Sequence, residues 1–552
     1  MKLVRIALVA SLLSSQFAFA QTSSDDNLFE VSKNLDIYYA LFKEVNQYYV
    51  DPTQPGKMVK TSIDAMLAQL DPYTNYYTED DIEDYRFQNT GKYGGIGCGM
   101  RKYRGNLCFE DIIENGPLAK SGIKDGDIIL EIDGKSVVGY SIDDVGKLIK
   151  GSPGTSIKMK VRNPYNNQET VKTITREEIT IKNTSNSQLV GPNNNIAYVK
   201  LVQFTSNATA NIRKELDSLK AAQPNLKGVI LDLRYNPGGL LDEAVNLSNL
   251  FIGRDQLVVS TKGKTEEWNK ERRTQNLPWN EDIPLVVLIN KGSASASEIV
   301  SGTMQDLDRG VVIGQRSYGK GLVQNTRTLP FNAQVKITTA KYYTPSGRCI
   351  QALDYTNRNE DGSVGTVPDS VKREFKTTKG RRVFDGGGVD PDIKTESFES
   401  NRVVSALFAE GLIFDYANKY ATEHATISDA KSFRLSDADI DAFITWLADK
   451  KYDYKTKTED QIAALKTTAE KDNYLDDIQD QLKQLEAIVA VEKKKDLQAA
   501  RKELKRALQA EIVSRYYYSN GKAANMLQDD VDLQEAISVL GDAARYGKLL
   551  GK

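Results

Sequence analysis

The chain has 552 residues, 73 Lys and Arg against 75 Asp and Glu, and a formal charge of −2 at pH 7. That length exceeds one ordinary domain and implies three or four, while the balanced charge makes neither nucleic acid nor an anionic membrane surface an obvious partner, and no nucleic-acid partner is expected. A hydrophobic content of 40% with a mean hydropathy of −0.46 fits a globular protein with polar, helical parts.

The N-terminus opens with Met1-Lys2-Leu3-Val4-Arg5, continues with an apolar run from Ile6 to Leu13, and reaches Ala18-Phe19-Ala20. A basic start, a short apolar stretch and a small-residue site predict a secretory signal peptide over 1–20. The run is too short for a membrane span, which needs about 20 apolar residues. The expected location is therefore the periplasm or cell envelope, soluble after cleavage. Residues 21–88 read as helical, with Leu28, Val31, Leu35, Tyr38, Phe42 and Val45 on one apolar face.

Residues 89–182 change character: short β-rich runs alternate with Gly-rich turns, which predicts a small separate module. Cys98 and Cys108 flank a turn at Arg104-Gly105-Asn106. They could bridge across paired strands in an oxidising compartment or remain two buried thiols, and Cys349 is left over either way. Residues 183–400 read as α/β. The apolar run Gly228 to Leu233 and Arg234, a turn at Asn236-Pro237-Gly238-Gly239 and a helical stretch from Leu241 are followed by the same order at Pro284 to Asn290, Gly292 to Ser295 and Ala296 onward. Strand, tight turn and helix repeated twice predict βα units on a largely parallel sheet. Residues 401–552 are helical and charged, with Leu475, Ile478, Leu482, Leu485 and Val489 forming a short heptad seam. This tail is expected to be a separate helical domain, packed against the rest of the protein by default, and the helical regions are candidate homo-oligomer contacts.

The chemistry concentrates between Lys291 and Gln324. Ser293, Ser295 and Ser297 alternate with Ala at a strand-to-helix turn, and Lys320 sits between Gly319 and Gly321. A serine hydroxyl needs a base. His424 is the only histidine and lies in the tail, so a Ser-His-Asp triad is not expected. Lysine can serve if burial lowers its pKa, and Gln324 can offer an amide oxygen to hold the amine. Free N–H groups at a helix start favour developing negative charge, so the Ala296 N–H and the Gly238-Gly239 turn are candidate oxyanion donors. The residues by themselves do not choose among the three serines. Gly314 to Lys320 matches most of a phosphate-binding loop, but Gly321 stands where Ser or Thr must ligate Mg²⁺. No metal or cofactor is expected.

Several ordered motifs resemble the C-terminal processing (tail-specific) peptidase family: Ser293-Ala-Ser-Ala-Ser-Glu298, Gly319-Lys-Gly-Leu-Val-Gln324, Tyr342-Tyr-Thr-Pro-Ser-Gly-Arg348, Gly388-Val-Asp-Pro-Asp392, Asn236-Pro-Gly-Gly239 and Leu70-Asp-Pro-Tyr73. The resemblance covers roughly 30–400. It implies a multidomain α+β chain: a helical N-terminal segment, a PDZ domain inserted before an α/β (crotonase-like) peptidase core, and a helical C-terminal domain. It places the nucleophile on Ser295, the general base on Lys320 and the orienting amide on Gln324, with Ala296 and the Gly238-Gly239 turn as oxyanion donors. In the PDZ-like module it marks Gly95, Ile96, Gly97 and Cys98 as the loop that receives a chain-terminal carboxylate. Cys349 departs from the family, which usually has Ser there, and the tail beyond 400 lies outside the matched motifs. The implied function is an exported serine endopeptidase acting on protein or peptide substrates with accessible C-termini. The alternative is a non-catalytic PDZ scaffold of the envelope, which the complete Ser295, Lys320 and Gln324 set argues against.

Overall fold

The computed structural model describes residues 28–81, 87, 90–164, 166–359, 361–396, 401–493 and 495–551. The signal-peptide expectation falls outside these residues. The chain divides into two units, Met1–Tyr76 and Tyr77–Lys552.

In the first unit, residues 28–48 are helical, and the helix Pro55–Ala68 follows with proline in its first turn, where no N–H is needed. Tyr38 and Ser62 join the two through their hydroxyls at 2.6 Å. On the expected apolar face, Leu28 and Leu35 are 66% and 62% exposed, while Phe42 and Val45 are half-buried.

The second unit begins with the β-rich module. Strands Gly99–Tyr103, Asn106–Glu110, Ile128–Ile132, Ser156–Arg162 and Glu169–Thr175 form an antiparallel sheet in that order. Helix Ile142–Ile149 starts in a capping box between Ser141 and Asp144. Ile96, Phe109, Ile129, Val145 and Ile157 are buried together as its core. The register sets Cys108 opposite Arg101, three residues beyond Cys98, so no bridge forms and all three cysteines are free thiols.

The α/β part is a six-stranded sheet in the order Thr184–Val190, Ile196–Leu201, Gly228–Asp232, Leu285–Ile289, Val311–Gly314 and Ile393–Lys394. Only the first pair is antiparallel. Central parallel strands carry apolar side chains on both faces, so both faces need a cover. Helices Ala208–Ala222, Leu241–Asn249 and Ala296–Asp306 cover one, burying Ile212, Leu216, Leu247, Ile299 and Val300 against Val229, Leu231 and Val287. The other face, with Tyr198, Ile230, Val286, Leu288 and Ile313, is covered by Leu527, Leu533, Val539, Leu540 and Leu550 of the tail. The remaining tail helices bury a separate core around Leu407, Ile413, Phe443, Leu504 and Ile512. Of the heptad seam on Leu475–Lys493, Leu482 is buried and Leu485 exposed. A second sheet pairs Gln334–Tyr343 with Leu322–Thr328 and Leu257–Gly263.

Leu533 is 2% exposed under the sheet. Leu533→Ala should cost about 2–5 kcal/mol of stability, read from the urea midpoint of the whole chain; an unchanged midpoint would show that the tail is not part of the core. In the β-rich module, Asp125 accepts the Ile112 N–H at 3.0 Å, and burial pushes its carboxyl from 3.8 up to about 6. The folded state then holds the proton more tightly than the unfolded chain. Its contribution to stability is present below about pH 4 and lost as the pH rises through about 6. Asp125→Asn should remove this loss, a difference of roughly 2–3 kcal/mol between acid and neutral pH. Parallel pH profiles for wild type and variant would contradict it.

Candidate active site

The two βα turns lie side by side because their strands, Gly228–Asp232 and Leu285–Ile289, are hydrogen-bonded neighbours. Backbone and side chains then lock one turn onto the other. Asn290 Oδ1 accepts the Tyr235 N–H at 2.9 Å, the Asn236 carbonyl accepts the Ala294 N–H at 3.0 Å, and Asn236 Oδ1 accepts the Gly238 N–H at 2.8 Å.

This locking separates the three serines. Ser293 is fully buried; its hydroxyl donates to the Leu233 carbonyl at 2.8 Å and accepts the Asn290 N–H at 2.9 Å. Ser297 is also fully buried and donates to the Asn236 carbonyl at 2.9 Å. Both hydroxyls hold backbone. Ser295 is half-buried and stands at the N-cap of Ala296–Asp306 with φ 55° and ψ −112°. That backbone is strained for a residue with a Cβ, by about 1–3 kcal/mol, and such strain persists where the surroundings over-determine it.

The surroundings are organised by Glu298, which is fully buried in the first turn of the helix. Its Oε2 accepts the Ser295 N–H at 2.8 Å and the Lys320 N–H at 2.9 Å. Its Oε1 accepts the Ser317 hydroxyl at 2.5 Å and the Gly319 N–H at 2.6 Å. One carboxylate therefore holds the backbone on both sides of the site. Burial pushes this carboxyl up, and the four donors pull it back only in part. The Tyr318 N–H bonds to the Ser293 carbonyl at 3.0 Å, and the Val389 N–H bonds to Ser317 Oγ at 2.6 Å, pinning the Lys320 loop to the serine turn and to the Gly388–Asp392 segment. Gly319, at φ +87°, and Gly321 pass so close to Gln351 and Ala352 that a Cβ would lie 2.4 Å from the Ala352 Cβ or 2.8 Å from the Gln351 nitrogen. Lys320 itself is half-buried. Gln324 sits on the adjoining strand and directs its amide nitrogen to Thr338 Oγ1 at 3.2 Å, which sets the plane of its amide.

Gly238, at φ +98°, lies directly against the serine: a Cβ there would be 2.9 Å from both the Ser295 Cβ and the Ala296 nitrogen. The two glycines differ in what their N–H groups do. That of Gly238 is held by Asn236, whereas among the described residues those of Gly239 and Ala296 have no acceptor. The Gly238 carbonyl points to the Phe204 N–H at 2.9 Å. In a trans peptide the next N–H points the opposite way, so the Gly239 N–H faces away from Phe204.

In the β-rich module, strand Lys92–Gly95 runs into Ile96, Gly97 and Cys98, which lead to the edge strand Gly99–Tyr103. Gly97 has φ +76°, its carbonyl accepts the Ile113 N–H at 3.0 Å, and the Ile96 carbonyl accepts the Leu118 N–H at 3.2 Å. Burial pushes the Cys98 thiol up to about 12 and keeps it neutral. His424 is exposed, stacked on the Tyr420 ring at 4.0 Å in the tail.

Residues 195–359 match the family described as "Peptidase family S41", 109–163 a "PDZ domain", and 403–540 a "Probable PDZ-protease, C-terminal helical domain". A carboxy-terminal-processing protease of Bartonella bacilliformis is 33% identical over 347 residues, which cover 62% of this chain and 79% of the relative. The chain belongs to the C-terminal processing peptidase family. A probable CtpA-like serine protease of Staphylococcus haemolyticus is 36% identical over 318 residues, covering 57% of this chain and 62% of that protein. Among solved structures, a photosystem II D1 C-terminal processing protease matches with 25% identity and a TM-score of 0.35, over 65% of this chain and 92% of its own. The chain is thus a serine-type peptidase with a PDZ domain, an S41 peptidase core and a C-terminal helical domain.

Glu298 is the site residue that the sequence reading left without a role. Its signal was present, because Ser295-Ala-Ser-Glu298 fits the S-x-x-E capping box. Replacing it with glutamine turns one acceptor into a donor that faces N–H groups. Glu298→Gln should lower stability by about 1–3 kcal/mol and reduce labelling of Ser295 by a serine-reactive phosphonate at least tenfold. Wild-type labelling in a folded variant would remove Glu298 from the account of the site.

Proposed function

We propose that this chain is an exported endopeptidase that takes the C-terminal segment of a protein substrate at its PDZ domain and cleaves through an acyl-enzyme on Ser295. The observation that carries the reading is the shared Glu298 carboxylate, which ties the strained Ser295 turn and the Lys320 loop to one group. Ser295 is the one hydroxyl of the three not committed to a backbone carbonyl.

In this reading Lys320 takes the Ser295 proton as Oγ attacks the scissile carbonyl and returns it to the leaving amine. Gln324, its amide plane set by Thr338, orients the lysine. The Ala296 and Gly239 N–H groups hold the oxyanion; Gly238 contributes by its close approach rather than by its own N–H. Water then releases the acyl group. The loop Gly95, Ile96, Gly97 and Cys98 receives the substrate's terminal carboxylate, and the peptide adds as a strand along the edge Gly99–Tyr103. The basic, apolar and small-residue pattern of the first 20 residues supports export, and the exposed apolar face of residues 28–48 supports self-association.

Ser295→Ala and Lys320→Ala should each lower turnover of an unfolded polypeptide by more than about a thousandfold. Binding of a C-terminal peptide to the PDZ domain should stay unchanged, as measured by fluorescence anisotropy. Cleavage that survives either substitution would exclude the Ser-Lys mechanism and leave the envelope scaffold.

A further inference from the structure

Arg234 leads directly into the turn that carries Gly238 and Gly239, and its guanidinium is held on three sides by buried carboxylates. Nε bonds Asp232 Oδ1 at 3.0 Å and Nη2 bonds Asp232 Oδ2 at 2.7 Å. Nη1 bonds Asp530 Oδ1 and Asp532 Oδ2, both at 2.8 Å, and Nη2 also bonds Asp530 Oδ2 at 2.6 Å. Asp232 accepts, in addition, the Arg234 N–H at 2.9 Å and the Tyr198 hydroxyl at 2.6 Å, with Lys200 at 3.9 Å. Asp232 belongs to the same strand as the turn. Asp530 and Asp532 come from the C-terminal helical domain, at the start of helix Val531–Gly541, where Asp530 also caps the Leu533 N–H at 3.0 Å.

A planar guanidinium held by two-pronged carboxylate contacts is fixed in orientation as well as position. A charge cluster this buried forms only with all partners in place, since an unpaired member is strongly penalised. Four residues separate Arg234 from Gly239. Downstream the turn is held by Asn290 and Asn236; upstream it is held by the tail. Misplacing an oxyanion donor by about 1 Å is enough to cost tenfold to a hundredfold in rate.

We propose that Arg234 is a positioning residue for the oxyanion turn and that the C-terminal helical domain, through Asp530 and Asp532, fixes it, so that the tail is part of the catalytic apparatus. This rests on the assignment of Ser295 as nucleophile. The domain covers the back of the sheet and also sets the geometry of a turn on the catalytic side.

The test uses the full chain with Asp530→Asn, Asp532→Asn, the double substitution and Arg234→Lys. Asparagine keeps the helix cap, so Asp530→Asn alone serves if the double variant does not fold. Three quantities are read: kcat and KM on a short peptide that does not need the PDZ domain, affinity for a peptidyl boronic acid, whose tetrahedral adduct on Ser295 presents an oxygen to the oxyanion donors, and the thermal midpoint. The expected result for the carboxylate variants is a kcat lowered about 10- to 100-fold with KM within about twofold, boronate affinity falling in parallel, and a loss that exceeds the unfolded fraction; Arg234→Lys should fall between. Folded variants with wild-type kcat and boronate affinity overturn the proposal, as does a loss that only tracks unfolding or appears only in KM. Absence of Ser295-dependent turnover in the wild type would overturn the peptidase reading first, and this proposal with it.

Discussion

The Glu298 carboxylate accepts hydrogen bonds from Ser295, Ser317, Gly319 and Lys320 while fully buried. A buried acceptor of this kind is stable only when its donors are all present, and the donors are stable only around it. The Ser295 turn and the Lys320 loop, 25 residues apart in the chain, are thereby brought to one point, and the positive-φ backbone of Ser295 is held in place. The Tyr342 hydroxyl adds a bond to the Ser295 carbonyl at 3.2 Å. Strain at the Ser295 turn is thus supported by a polar network rather than by the helix alone.

The second constraint is the central sheet. Strands such as Val229-Ile230-Leu231 and Val286-Val287-Leu288 are apolar on both faces. The helices between strands cover one face. Among the described residues the buried set on the other face comes from 527–550, which are both the end of the helical domain and a layer of the peptidase core. This dual membership brings Asp530 and Asp532 to Arg234.

Much of this was legible in the residues. The two βα units, the glycine-flanked lysine and the Asn-Pro-Gly-Gly turn all announce themselves through local rules: apolar runs, turn chemistry and helix starts. The family motifs then selected Ser295. Other features needed coordinates. Ser293, Ser295 and Ser297 are identical side chains in a repeating Ser-Ala context, and only the neighbouring turn, 60 residues earlier, decides which hydroxyls are consumed. The Cys98 and Cys108 spacing allowed a bridge; the strand register, which pairs Cys108 with Arg101, forbids it. The seam from Leu475 to Val489 has the right period, yet Leu485 faces solvent, because a heptad pattern states which residues can be covered and not what covers them.

The sequence by itself determined what depends on near neighbours: secondary structure, the order of the modules, the chemical types at the site and, through ordered motifs, the family. Tertiary structure alone decided what depends on residues far apart in the chain meeting. It made Glu298 the anchor of both the Ser295 turn and the Lys320 loop, occupied the N–H of Gly238 but, among the described residues, not that of Gly239, and set tail carboxylates against Arg234. The physical reason is that a buried polar group is defined by its partners, and beside the near ones such as Ser295 and Asp232 the deciding partners lie far off in the chain, from 19 residues for Ser317 on Glu298 to 298 for Asp532 on Arg234.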